Sequence, residues 1–273
     1  MKFTSSIFRI SLLILICIGC GCSSGELIAG SCKLPKSAQK AEVERVVDGD
    51  TIHLVDKRKI RMLGLNAPEL AKRGKKGSLD EPFAQQAKQH LQQMVATSKN
   101  RIYLQIGKDA TDKYNRVLAH TFDIKGNNLE EQMIKSGLAF RVSYVPNTEF
   151  DACLSKAEQH ARQNKLGLWK SNKAVINAAN LQKSGFQIIK VKIDKVVANR
   201  GGLWFDTADN LSLHLSTKVI KEIDDKKLSQ IKNLAGKTIE ARGWIVDRSK
   251  NSKKPAPTKW LLPITSPSML DMD

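Results

Sequence analysis

From Val43 to Ile124 the chain is a series of short apolar runs, each stopped by turn chemistry before a long helix can form. Val43 to Val55 is broken at Asp48-Gly49-Asp50. Lys59 to Leu65 is stopped at Ala67-Pro68, because proline cannot continue a central strand. Arg101 to Ile106 alternates apolar and polar residues, and Val117 to Ile124 is a further run of the same kind. Such runs read as strands. Pro82 to Ala96 instead carries Phe83, Ala87, Leu91 and Met94/Val95 at helical spacing, with Pro82 in a favoured first-turn position. Asn128 and Glu131 have capping-box spacing, and Gly137 ends the helix they start. Phe150 to Leu166 has Cys153/Leu154, Ala157 and Ala161 on one side of a helix, and Gly167-Leu168-Trp169 closes the unit. Strands first, with helices between and after, describe a mostly β, α+β fold: a small closed barrel with helices at its side.

A second pattern follows a polar connector, residues 171–184. Ile189, Val191 and Ile193 alternate with Lys190, Lys192 and Asp194 as a half-buried strand does. Gly201-Gly202 turns into Leu203-Trp204-Phe205, and Asp209-Asn210 into Leu211, Leu213 and Leu215. Lys218 to Leu234 reads as a helix ended at Ala235-Gly236-Lys237. Thr238 to Val246 and Lys259 to Ile264 read as the last strands. This is the element order of an OB-fold, so residues 185–268 are expected to form a second OB-like barrel. Trp204, Phe205, Trp244 and Trp260 are either platforms for nucleic-acid bases or barrel core. No acid pair or metal cluster accompanies them, so the unit reads as a binding module.

The formal net charge of +18 points to an anionic partner, nucleic acid or an acidic membrane surface. The N-terminus reads as an export signal. Lys2 and Arg9 flank its start, and the apolar stretch Ile10 to Gly19 is too short for a spanning helix, which needs roughly 20 residues. Gly19-Cys20 followed by small polar residues resembles a bacterial lipoprotein cleavage box, with Cys20 as the lipidated residue; release by ordinary signal cleavage is the alternative. Residues 1–20 are thus a leader and 21–41 a small, polar tether. Of the cysteines downstream of the leader, Cys32 and Cys153 can pair in an oxidising compartment or remain free thiols.

Three polar clusters lie among the first strands: Val47-Asp48-Gly49-Asp50-Thr51, Arg61 through Glu69 with Asn66-Ala67-Pro68, and Thr111-Asp112-Lys113-Tyr114-Asn115-Arg116. Carboxylates for a hard cation, a glutamate beside a proline and arginines in apolar runs are the equipment for cutting a phosphodiester: a metal, a base and a phosphate clamp. Alone, Asp48-Gly49-Asp50 is also an ordinary Asp-Gly turn, and Arg116 an ion-pair partner for Asp112.

In this order the clusters resemble those of the staphylococcal nuclease (thermonuclease) family, over residues 42–170. The resemblance implies an OB-type five-stranded barrel. It also implies a Ca²⁺ site with Asp50 as direct ligand, Asp48 in its second sphere, and Asn66 and the backbone carbonyl of Ala67 contributing oxygens. Asn66 stands where the family usually has a ligating Asp, which predicts weaker cation binding. Glu69 is implied to activate water, and Arg61 and Arg116 to grip the scissile phosphate. Lys113, Tyr114 and Tyr144 are implied to bind a terminal phosphate or a base. The chain is therefore expected to be an exported, lipid-anchored, Ca²⁺-dependent nuclease acting on DNA and RNA with low sequence specificity and no obligate protein partner. The alternatives are a non-catalytic nucleic-acid-binding protein of nuclease-like fold and an envelope adaptor.

Overall fold

Turn residues and alternation produce the expected strands. β1 (Gln39–Val46) and β2 (Thr51–Leu54) pair antiparallel across the Asp-Gly-Asp break, and β3 (Lys59–Met62) pairs with β2. A short β4 (Leu65–Asn66) leads through a loop to helix α1 (Ala84–Thr97). β5 (Arg101–Thr111) and β6 (Val117–Phe122) then complete a closed barrel in the order β1-β2-β3-β6-β5, with β3 and β6 parallel. Helix α2 (Leu129–Lys135), strand β7 (Phe140–Arg141), which pairs with β4, and helix α3 (Asp151–Gln163) follow. Ile52, Leu54, Ile60, Met62, Ile102 and Leu104 fill the barrel, and Leu91 of α1 and Leu129 of α2 seal its side.

The structure, a computed structural model, describes Met1 and residues 32–71, 74, 77–250 and 257–272. The export signal, Cys20 and most of the tether lie outside the described residues, as do Lys72, Arg73, Lys75 and Lys76. Among the described residues no helix is long and apolar enough to cross a membrane. β1 begins at Gln39, within the stretch expected as tether, because Gln39 to Glu42 pair with Leu104 to Arg101 of β5. Helix α1 begins at Ala84 rather than Pro82: Phe83 takes a left-handed conformation (φ 70°) that the helix cannot include. Asn128 caps α2 as expected, its side chain accepting the Glu131 amide at 2.7 Å.

The connector holds a strand, β8 (Val175–Asn177), parallel to β9 (Gly185–Lys192). β10 (Lys195–Asn199), β11 (Gly202–Asp206) and β12 (Leu211–Ser216) follow. The single helix expected over Lys218 to Leu234 is two: α4 (Thr217–Ile220) and α5 (Asp225–Lys232). Ser216 and Asp224 each cap a new start, so local capping overrides the apolar period. β13 (Thr238–Asp247), β14 (Trp260–Ile264) and β15 (Leu270–Asp271) end the fold. The sheet runs β10-β11-β12-β14-β13-β9, with β12 and β14 parallel. Only Ile193 and Asp194 separate β9 from β10, so the two ends of that path are one bent stretch of chain. The sheet thereby returns on itself with the pairing order of the first barrel.

The two barrels share a buried polar interface. Glu158 of α3 accepts Arg242 Nη1 of β13 at 2.6 and 2.8 Å and the Arg141 amide at 2.9 Å. Arg162 reaches Glu240, and Arg141 donates to Ser268. The C-terminal unit is thus docked on the first barrel, not strung from it.

A disulfide joins Cys32 to Cys153, tying the arm before β1 to α3 across 121 residues of sequence. On the chain-entropy argument a bridge of this kind contributes about 2–4 kcal/mol. Denaturant unfolding of the Cys32→Ser/Cys153→Ser protein is expected to show that loss in unfolding free energy, with a higher m-value because the uncross-linked denatured chain exposes more surface; an unchanged unfolding free energy would remove the bridge from the stability balance.

Candidate active site

Gly49 lets the first cluster close on the second. A Cβ there would meet the Cβ of Ala67 at 2.5 Å and that of Ala87 on α1 at 2.8 Å, so only glycine allows the turn to lie against both. Asp50 is thereby buried. Its Oδ2 pairs with Arg61 Nη2 at 3.0 Å and accepts the Ala67 amide at 3.2 Å, and its Oδ1 accepts the Thr51 hydroxyl at 3.0 Å. The charged residue inside an apolar strand thus has its partner. Arg61 Nη1 also donates to the carbonyls of Met62 at 2.7 Å and Leu65 at 3.1 Å. With Nη1 directed to backbone and Nη2 to Asp50, the guanidinium is fixed and retains further N–H donors.

Asp48 Oδ1 accepts the Asp50 amide at 3.0 Å. Burial, followed by the negative charges of Asp50 and Glu69, pushes the Asp48 carboxyl up to about 6. Asp50 and Glu69 therefore both lie within electrostatic reach of Asp48. The donor set fits a hard, oxygen-seeking divalent ion. Among the described residues no group of three or more His, Cys, Asp or Glu side chains forms a metal-holding cluster. The Ala67 amide faces Asp50. Asn66, on β4 opposite Phe140, lines an adjoining cleft.

Glu69 is exposed and lies at the neck of a loop. Its amide donates to Glu81 Oε2 at 3.0 Å while the Glu81 amide donates to its carbonyl at 2.9 Å, so Glu81 fixes the backbone that carries Glu69.

Arg116 immediately precedes Val117, which pairs with Ile60 on β3; the two arginines thus start from adjacent parallel strands. Its Nε donates to Asp112 Oδ2 at 2.8 Å, which leaves the terminal nitrogens pointing onward. Burial opposes ionisation of Asp112, but the Arg116 amide and guanidinium outweigh it and hold the carboxyl below its usual range. The ion pair with Asp112 and a phosphate-binding role are therefore compatible. Tyr114, 68% exposed, stands at the tip of this turn with Lys113 and Arg116 near its ring. Tyr144 comes in from the segment after β7. It keeps 39% of its surface exposed, yet burial of its hydroxyl pushes it up to about 12 against an opposing pull from the nearby Arg61 charge.

The supports of the site carry no motif: nothing in the sequence marks Glu81, and Trp244 reads only as base platform or core. Its ring lies 5.9 Å from that of Tyr144, and Val145 donates its amide to Thr265 of the C-terminal barrel at 3.0 Å. No local signal marks such contacts. Phe205 and Trp260 are buried barrel core and offer no platform, while Trp204 stacks on His214 at 4.1 Å.

Barrel topology and clustered groups define a nuclease of the staphylococcal type. Residues 59–171 match the family model described as staphylococcal nuclease homologue. Endonuclease YncB of Bacillus subtilis is 32% identical over 150 residues, 53% of this chain and 68% of that protein. The thermonuclease of Staphylococcus hyicus is 30% identical over 135 residues, 48% of this chain and 76% of that protein. A SPbeta prophage-derived endonuclease of B. subtilis, YokF, is 35% identical over 137 residues, but these are only 44% of its length. The chain belongs to the staphylococcal nuclease family and is a hydrolase of the nuclease class.

Proposed function

We propose that the chain is an exported, lipid-anchored, Ca²⁺-dependent nuclease that cleaves DNA and RNA with little sequence preference. The pairing of Arg61 with Asp50, with the Asp48 carboxylate under the negative charges of both Asp50 and Glu69, carries this reading. Asp50, with Asn66 and the Ala67 carbonyl, would hold the cation, and Asp48 would stand behind it. When bound, the cation supplies positive charge for the attacking water and the pentavalent phosphate. Arg61, locked by Asp50 and two carbonyls, turns its remaining N–H groups to a phosphate oxygen. Arg116, oriented by Asp112, offers its terminal nitrogens to the same group, and both stabilise the added charge of the transition state. Glu69, held at the loop neck, takes a proton from the attacking water. Tyr114 and Lys113 receive a neighbouring base or phosphate. None of these contacts reads base edges, which supports low sequence preference. Export is supported by the leader sequence and by the Cys32–Cys153 bridge, which belongs to an oxidising compartment.

Zymography on DNA and RNA gels with Ca²⁺ and with chelator tests the reading: clearing in Ca²⁺ and none in chelator is expected. Binding without clearing under either condition would make the chain a nucleic-acid-binding protein. Asn66→Asp adds an anionic ligand and is expected to tighten Ca²⁺ binding by about tenfold, read by calorimetry. Unchanged or weaker binding would place Asn66 away from the ion.

A further inference from the structure

We propose that the cleft between the two barrels is a second subsite, one that takes an unpaired nucleobase of a single-stranded substrate beside the scissile phosphate. The proposal rests on the nuclease reading for what lies next to the cleft. The cleft has a volume of about 510 Å³. Asn66 and Pro68 form one side, and they flank Ala67, whose amide binds Asp50. Adjacent residues are about 3.8 Å apart along the chain, so this side of the cleft is next in sequence to the residue that binds Asp50.

Its aromatic lining comes from both barrels. Phe140 of β7 and Phe186 of β9 stack with centroids 5.6 Å apart and planes 29° apart. Phe186 meets Trp244 at 5.0 Å, and Trp244 meets Tyr144, which lies near Arg61. Ring contacts thus run from Tyr144, within electrostatic reach of Arg61, through Trp244 to Phe186 at the cleft wall. Exposed Lys173 and Lys183 also line the cleft. The acid of the lining, Glu81, has its carboxylate engaged by the Glu69 amide. Aromatic faces beside lysines, continuous with a phosphate clamp, are the chemistry of single-strand binding: rings stack on bases, and ammonium groups take the backbone. A paired base cannot leave its stack to enter, so the subsite selects single strands.

The test is equilibrium binding of the full chain, in chelator, to a single-stranded oligonucleotide carrying 2-aminopurine and to a duplex of the same sequence. Stacking is expected to quench the 2-aminopurine. Phe186→Leu, which keeps apolar volume but removes the ring, is expected to relieve the quenching and weaken single-strand binding about 5-fold or more, with duplex affinity little changed. The exposed pair Lys173→Glu/Lys183→Glu, which leaves the core untouched, should weaken single-strand binding more than duplex binding. Unquenched binding by the parent protein, single-strand affinity unmoved by either variant, or equal loss for both nucleic acids would overturn the subsite. Because the readout is binding, a chain that stacks the base yet never cleaves would refute the nuclease reading and leave the subsite standing.

Discussion

Glu69→Gln and Arg116→Ala are each expected to lower turnover at least about 100-fold while leaving thermal unfolding within a degree or two of the parent, since removing a base or a transition-state clamp costs on this order. The stability half of the expectation follows from placement. Glu69 is exposed, and its backbone is held by Glu81 whichever side chain it carries. Arg116 is half-buried, and the Asp112 carboxylate it would leave behind keeps the amides of Tyr114 and Arg116 as donors. Arg61 behaves differently. Its loss strips the buried Asp50 of its ionic partner, so Arg61→Ala is expected to lose activity and stability together. Measured kcat and melting temperature for the three variants separate the roles. Cleavage near the parent rate by the Glu69 or Arg116 variant would refute the catalytic assignment.

The second large effect is expected at the joint between the barrels. Glu158→Ala should destabilise the protein by about 3–5 kcal/mol, the cost of breaking a buried ion pair and stranding its partner. That partner, Arg242, is only 2% exposed; Glu240 remains to it at 2.8 Å, but the bonds to Glu158 and the satisfaction of the Arg141 amide are lost. Arg162 reaches both Glu158 and Glu240. Replacing Glu158 and Arg242 together by apolar residues of similar volume should recover much of the loss, because no charge is then left buried alone. Denaturant titration of the single and double variants checks this. A Glu158→Ala protein as stable as the parent would mean that the interface is held by its apolar contacts alone.

This joint bears on the site as well. The Ser143–Val145 segment carries Tyr144, and Thr265 of the C-terminal barrel holds it on both sides: the Val145 amide donates to the Thr265 carbonyl, and the Thr265 hydroxyl donates to the Ser143 carbonyl at 2.6 Å. The C-terminal unit reads from its sequence as a separable module without reactive groups. In the fold it is a wall of the cleft and a support for the segment that carries Tyr144.

Sequence by itself determined what depends on near neighbours along the chain. Alternation and turn residues define most strands of both barrels, though not β10, the Asn128 cap is a matter of backbone geometry within one turn, and the spacing Arg61 to Glu69 is a motif contained in β3, β4 and the loop that leaves them. Where two local signals competed, as at Asp224 inside an apolar period, the cap prevailed. Tertiary structure alone decided what depends on distant segments packing together. Gly49 lies against Ala87, Arg61 is directed by Asp50, Arg242 is buried on Glu158, and Trp244 meets Tyr144. None of these partners is marked by spacing, because side-chain contact between residues far apart in sequence is set by how the elements dock. Docking is decided by the burial and charge pairing of whole surfaces, which no single stretch of sequence contains.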